Sequence, residues 1–256
     1  MRPIPIFIVG ILLVLLLNNA CKEELAPASD FGYEYYPLDI GRYWEYRQDT
    51  VIFDPDIGMV RKDSSSSFVR EEIVDTLRDN TGALLYRLEH YERAADSLPW
   101  QINGVYTLGR NEQQAIRTED NLRFIKLVFP PNIFKQWNGN ASFDEFLEVS
   151  VAGESVEMFK GWSYSITNSD TTLQLGDFSF DKVVKVQPSD YESFIELRSV
   201  QEYYAPEVGL VYRELWILDT QCEYCCNFNG DLCDMFSWDE KAEAGFILRQ
   251  QLIDYQ

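Results

Sequence analysis

The chain has 256 residues and a formal net charge of −20, with 42 acidic against 22 basic side chains. That balance argues against a nucleic-acid partner, which needs Lys/Arg stripes to displace counterions, and against rest on an anionic membrane surface. A chain this long buries a sizeable core, in one domain or two closely packed ones. Its acidity reads first as a solubilising surface, with calcium as the other ligand such carboxylates would suit.

In chain order the first element is a secretory signal. Met1-Arg2 supplies a positive charge, and Ile4 to Leu17 forms an almost wholly apolar run of 14 residues. Such a run is shorter than the roughly 20 residues of a membrane span and suits a signal-peptide core. Asn18-Asn19 breaks the run, and Ala20-Cys21 follows. The arrangement resembles a bacterial lipoprotein signal, in which the chain is cut before the cysteine and the thiol is lipidated. Asn18 stands where the usual lipobox has an aliphatic residue, so an ordinary signal cut nearby and an uncleaved anchor are the alternatives.

The resemblance implies a signal peptide over residues 1–20 and lipid attachment at Cys21; composition then reads as an anchored tether over 21–34 and a single β-rich domain over 35–256. Two or more acyl chains hold a protein durably on a bilayer. Lys22-Glu23-Glu24 is similar to the lysine-plus-two-acids signal of Bacteroidetes lipoproteins sent to the cell exterior, which implies an outer-membrane protein facing outward, with the periplasmic face as the alternative. Cleavage leaves 236 residues, and loss of Arg2 takes the net charge to −21.

From Tyr35 the chain is rich in aromatic and β-branched residues punctuated by turns, which predicts strands. Segments 41–53, 67–77 and 83–95 read as strands, the last two joined by the hairpin turn Asp79-Asn80-Thr81-Gly82. Segments 103–110, 113–119 and 121–129 continue at the spacing of an antiparallel meander, which Pro130-Pro131 ends. Ser64–Ser67 reads as a loop. Segments 146–151, 154–169, 180–187, 195–205, 209–220 and 245–256 repeat the style. The stretch 239–252 has a competing helical reading, because its Ala, Glu, Lys and Leu favour one. The predicted fold class is mainly β: a large curved antiparallel sheet, half-barrel or barrel-like, with few helices.

Two motifs, "YYPLDIGRYWEYR" (35–47) and "YYAPEVGLVYREL" (203–215), resemble the paired opening and close of a broad group of envelope lipoproteins common in Bacteroidetes. That group shares PL-x-x-G-x-x-W-x-Y and YAP-x-VGLV. The resemblance implies a curved-sheet or half-barrel domain and brings no catalytic residues with it. Read on their own, Gly41 and Gly209 allow turns into strands, while Trp44, Tyr46, Val211 and Tyr212 supply buried faces.

The candidate chemistry is sparse. Cys222, Cys225, Cys226 and Cys233, in a Cys-rich loop over 221–238, read as two disulfides in an oxidising compartment. A thiolate metal site and a redox role are the alternatives. A bridge between the neighbours Cys225 and Cys226 is expected to be strained, so Cys222 and Cys233 should each take one of them. Asn227, Asn229, Asp231 and Asp234, like Asp54 and Asp56, offer oxygen ligands in the wrong order for an EF-hand and read as turn residues. His90 is the single histidine, which rules out a multi-histidine metal site; on an alternating strand it shares a face with Tyr86 and Leu88.

Six tryptophans serve a β-rich core, with Trp137, in the polar loop "KQWNGNAS", the best candidate for an exposed ligand contact. Thr50, Thr76, Ser97 and Thr171 each follow an aspartate in tripeptides that resemble the O-glycosylation signal of Bacteroidetes extracytoplasmic proteins, which implies surface hydroxyls there.

The sequence therefore predicts a non-enzymatic, lipid-anchored envelope protein with no cofactor. It would serve as a binding or structural module for a small apolar ligand, a glycan or an envelope partner. The alternative is an anchored, carboxylate-dependent hydrolase such as a glycosidase, which needs two converging carboxylates and no histidine.

Overall fold

Alternation sets the first strand, β1 (Tyr43–Asp56): Trp44 and Tyr46 are buried, while Tyr43, Glu45 and Arg47 stay nearer solvent. In the computed structural model the described residues are 31–256, so the signal segment, Cys21 and Lys22-Glu23-Glu24 lie outside them. Residues 31–34, expected in the tether, already belong to the compact unit Phe31–Gln256.

Strands β2 (Met59–Arg78), β3 (Leu84–Arg93), β4 (Gln101–Arg110), β5 (Gln114–Glu119) and β6 (Leu122–Val128) follow as a meander. A crossing segment carries β7 (Gln136–Trp137) and a small separate hairpin, β8 (Glu148–Val151) and β9 (Glu154–Glu157). Then come β10 (Tyr164–Leu175), β11 (Phe178–Glu192), β12 (Glu196–Ala205) and β13 (Gly209–Asp219). Three single-turn helices, Glu223–Cys226, Gly230–Cys233 and Trp238–Lys241, precede the last strand, β14 (Ala244–Tyr255).

Twelve of these strands form one sheet in the order β6-β5-β4-β3-β2-β1-β14-β13-β12-β11-β10-β7. Every neighbouring pair is antiparallel, and the sheet is nearly closed into a barrel, as the sequence pattern predicts. The two edges meet at a seam. Ile125 N–H donates to Gly139 O at 2.8 Å, and Trp137 Nε1–H donates to Ile125 O at 2.8 Å. Closure of this kind removes exposed strand edges.

Three local outcomes refine the sequence reading. The Asp79 turn forms as expected, its carboxylate accepting from Thr81 N–H and Ala83 N–H. Ser64–Ser67 is not a loop: it lies in the middle of β2, paired in register with Gln48–Val51. Serine fits there because this part of the sheet is exposed and Ser66 finds a partner in Asp49. The stretch 239–252 is divided between a helical turn ending at Lys241 and β14. Gly245, the second residue of that strand, has φ 105°, and a Cβ there would lie 2.0 Å from Ile217 O, so no other residue fits.

The sheet is buried on both faces at one end. Val200, Leu215 and Ile217 point inward and meet Val156 of the β8–β9 hairpin. Phe53, Leu218 and Ile247 form a second cluster covered by Ala242 and Trp238, at the end of the Cys-rich insertion.

Candidate functional site

The interior of the barrel carries charge. Glu71 on β2, Arg117 and Glu119 on β5, Lys126 on β6, Glu202 on β12 and Arg213 on β13 converge between apolar layers. Arg117 ties the first part together, reaching Glu71 at 2.6 and 2.8 Å and Glu119 at 2.7 Å. His90 Nδ1 lies 3.2 Å from Glu71, and its ring packs on Tyr106. Lys126 crosses the barrel to pair with Glu202, which also accepts from Tyr204 Oη at 2.7 Å.

Electrostatics fixes the protonation of this belt. Burial alone would raise Glu71, but the Arg117 guanidinium and its hydrogen bonds hold the carboxyl far below the ordinary range. Burial is likewise overcome at Glu119, where Arg117 and, farther off, Arg213 and Lys126 bring the value down to about 2. Glu202 is lowered against its burial by Lys126 and Arg213. Burial pushes the Tyr46, Tyr164 and Tyr204 phenols well up, which keeps them neutral donors.

Arg213 stands apart. It faces Glu202 across the β12–β13 register and Gln250 across the β13–β14 register. Glu202 nevertheless accepts from Lys126 and Tyr204, and Gln250 donates its amide N–H to Gln48. The Nε of Arg213 is buried with no hydrogen-bond partner, and among the described residues no carboxylate comes within ion-pair distance of this guanidinium.

Two spaces flank the belt, both lined by Lys126 and Arg213. The smaller, about 40 Å³, lies against Tyr36, Trp44, Tyr46 and Gly209. The larger, about 300 Å³, is walled by Leu122, Phe124, Val149, Met158, Phe159 and Trp162. An aromatic chain covers it: Phe124, Phe143, Phe159 and Trp162 follow one another at centroid distances of 5.0–5.3 Å. Glu119, Asp120, Lys126, Glu202 and Arg213 complete its lining with charge.

The opening and closing sequence motifs meet at the smaller space. Trp44 Nε1–H donates to Val208 O, Tyr46 Oη to Leu210 O and Arg42 Nη1 to Glu207 O. Gly209, at φ 95°, lets the β12–β13 turn lie against Pro37 and Trp44. Ahead of them, Tyr33, Tyr35 and Tyr36 donate to Glu112 O, Lys182 O and Ile116 O, stapling residues 31–41 across that end of the barrel.

No protein-family model matches this chain, and no curated protein does. Solved structures of similar shape are distant. An inferred exported protein with a YmcC-like fold from Bacteroides fragilis aligns at TM-score 0.35 and 8% identity, over 86% of this chain and 98% of its own. An inferred lipoprotein from Parabacteroides distasonis aligns at TM-score 0.35 and 13% identity, over 87% and 98%. Likeness at this level assigns no activity.

The residues singled out from sequence fall elsewhere. Trp137, expected to be exposed, is half-buried: it packs on Tyr164 and seals the barrel seam, because its loop is drawn into the sheet as β7. His90 is half-buried on β3, beside Glu71. Ser97 is an exposed turn residue, whereas Thr50, Thr76 and Thr171 are half-buried within β1, β2 and β10. Asp56 caps the β1–β2 turn through Ile57 N–H, and Asn229 caps the turn that carries Cys233.

The cysteines pair differently from expectation. Cys222 bonds Cys233, with Cα atoms 5.8 Å apart, and Cys225 is bridged to its neighbour Cys226. The reason is local. The Asn229-capped turn Gly230–Cys233 folds back on Cys222 and brings the outer pair within normal disulfide span. All four sulfurs lie within 4.8 Å of one another.

Sequence reasoning missed the belt. One signal was readable: Lys126 shares the alternation of buried Phe124, whereas Arg123 falls on the opposite, exposed face, so Lys126 had to point inward. The partners it would find there come from strands up to 76 residues away.

Proposed function

We propose that this protein is a lipid-anchored envelope module that takes a small, mainly apolar molecule into its barrel. The observation that carries the reading is the space of about 300 Å³ between the charged belt and the aromatic cover. Ligand pockets begin at about this size and combine apolar walls with a few fixed polar groups.

The competing reading, a glycosidase, needs one carboxyl held protonated as the acid. Glu71, Glu119 and Glu202 are all pulled the other way by their cationic partners. They suit a fixed wall better than proton transfer.

The envelope location rests on the signal segment and Cys21, with Lys22-Glu23-Glu24 as the basis for an outward-facing outer-membrane placement. Replacing Cys21→Ser should abolish palmitate labelling and release the protein from membranes; continued labelling would refute the anchor. For binding, titration of the purified protein with 1-aminoanthracene should show saturable uptake at one molecule per chain. Met158→Trp, which narrows the space, should weaken it. A folded wild-type protein that takes up no apolar probe would overturn the reading.

A further inference from the structure

We infer that the molecule held in the barrel carries a carboxylate and that Arg213 receives it. This rests on the interior-binding reading above and adds the chemistry of the ligand's head.

The belt contains three carboxylates and three fixed cations, so it is neutral as built. Its hydrogen bonds are nevertheless unevenly distributed. Arg117 is engaged by Glu71 and Glu119, and Lys126 by Glu202. Arg213 is left over: its Nε is buried and unpartnered. Of the two groups opposite it in register, Glu202 is engaged by Lys126 and Tyr204, and Gln250 turns its amide N–H to Gln48. A buried donor without an acceptor is costly, and that of a charged group more so. The guanidinium fork matches a carboxylate, with two parallel N–H···O bonds.

Position supports the assignment. Arg213 lines both spaces in the interior, so a head group bound there has the larger, apolar space beside it for its body. Phe124, Phe159 and Trp162 wall that space. The occupant implied is a monocarboxylic acid with an apolar body. A dianion fits poorly, because Glu119 and Glu202 also line the larger space. A neutral apolar molecule would leave the Arg213 donors unmet.

The experiment compares decanoate with 1-decanol at neutral pH, by calorimetry on the purified barrel and by displacement of bound 1-aminoanthracene. Two charge-assisted hydrogen bonds predict that decanoate binds about tenfold or more tighter than the alcohol. Arg213→Met should bring the two affinities to within about twofold, chiefly by weakening decanoate, and Arg213→Lys should retain part of the preference. Equal wild-type affinity for acid and alcohol would overturn the inference while leaving interior binding intact. Failure of both to bind would bring down the interior-binding reading, and the inference with it. Because the wild-type ratio alone decides, the test survives a variant that does not fold.

Discussion

The inward face of β13 passes through two different interiors within a few residues. At Arg213 it enters the charged belt; at Leu215 and Ile217, two and four positions on, it enters a floor closed by the β8–β9 hairpin, apolar except for the fully buried Arg198, which donates to Glu157 O and pairs with Asp219. The floor is held by burial, which tolerates inexact geometry and loses strength in proportion to the atoms removed. The belt is held by paired charges, where each member is expensive unless its partner is in place. The same strand therefore carries one region that fails gradually and one that fails abruptly. The space of about 300 Å³ opens where they meet.

Removing Arg117 should break this contrast most severely. Arg117→Met leaves Glu71 and Glu119 without their shared partner, and stranding a buried charge costs about 3–5 kcal/mol. Urea unfolding should register that loss. A loss no larger than that of a surface ion pair would mean that water reaches the belt and screens it. Leu215→Ala, in the floor, should cost slightly less, about 3–4 kcal/mol, as a large-to-small change at a fully buried site.

How much of this division was legible in the sequence follows from the range of the interactions. The floor was readable as alternation: "GLVYRELWILDT" places Val211, Leu215 and Ile217 on one face, and a curved sheet needs such a face. Trp44 and Tyr46 were read as buried on the same grounds, and they are. The belt was not readable, because Glu202 on an alternating strand looks like any solvated acid until β6 arrives opposite with Lys126. Ser64–Ser67 misled for the converse reason. Serine carries no strong strand preference, so only pairing with β1 decides its state. Trp137 was misplaced because two residues of sequence cannot announce a barrel seam. The disulfide pairing depended on a turn capped by Asn229, a local geometry that cysteine spacing does not specify.

Acid separates the two regions without altering covalent structure. Glu119 has its folded value lowered to about 2. It contributes stability above the ordinary carboxylate range and loses it as pH falls from about 4.5 toward 2, where the unfolded chain takes up the proton first. For this one group the loss is on the order of 2–3 kcal/mol, kept at the lower end because 20% of its side chain meets solvent. Stability measured between pH 2 and 5 should therefore fall steeply in the wild type and less steeply in Glu119→Gln. Leu215→Ala should lower the whole curve and leave its slope unchanged. A wild-type slope matched by Glu119→Gln would remove Glu119 from the belt's electrostatics.

The smallest effect tests the mouth of the barrel, where neither description applies fully. Tyr36 is buried against the core like a floor residue, yet its hydroxyl donates to Ile116 O at 3.1 Å on the strand that carries Arg117. Tyr36→Phe keeps the ring and removes one neutral hydrogen bond, a change of about 1 kcal/mol. If residues 31–41 close the barrel through such bonds, the variant should also speed amide exchange at Ala115 to Arg117 beyond what the global loss explains. A uniform increase across the sheet would instead make the segment one more layer of core. That outcome would extend the behaviour of the floor to both ends of the barrel and set the belt between them.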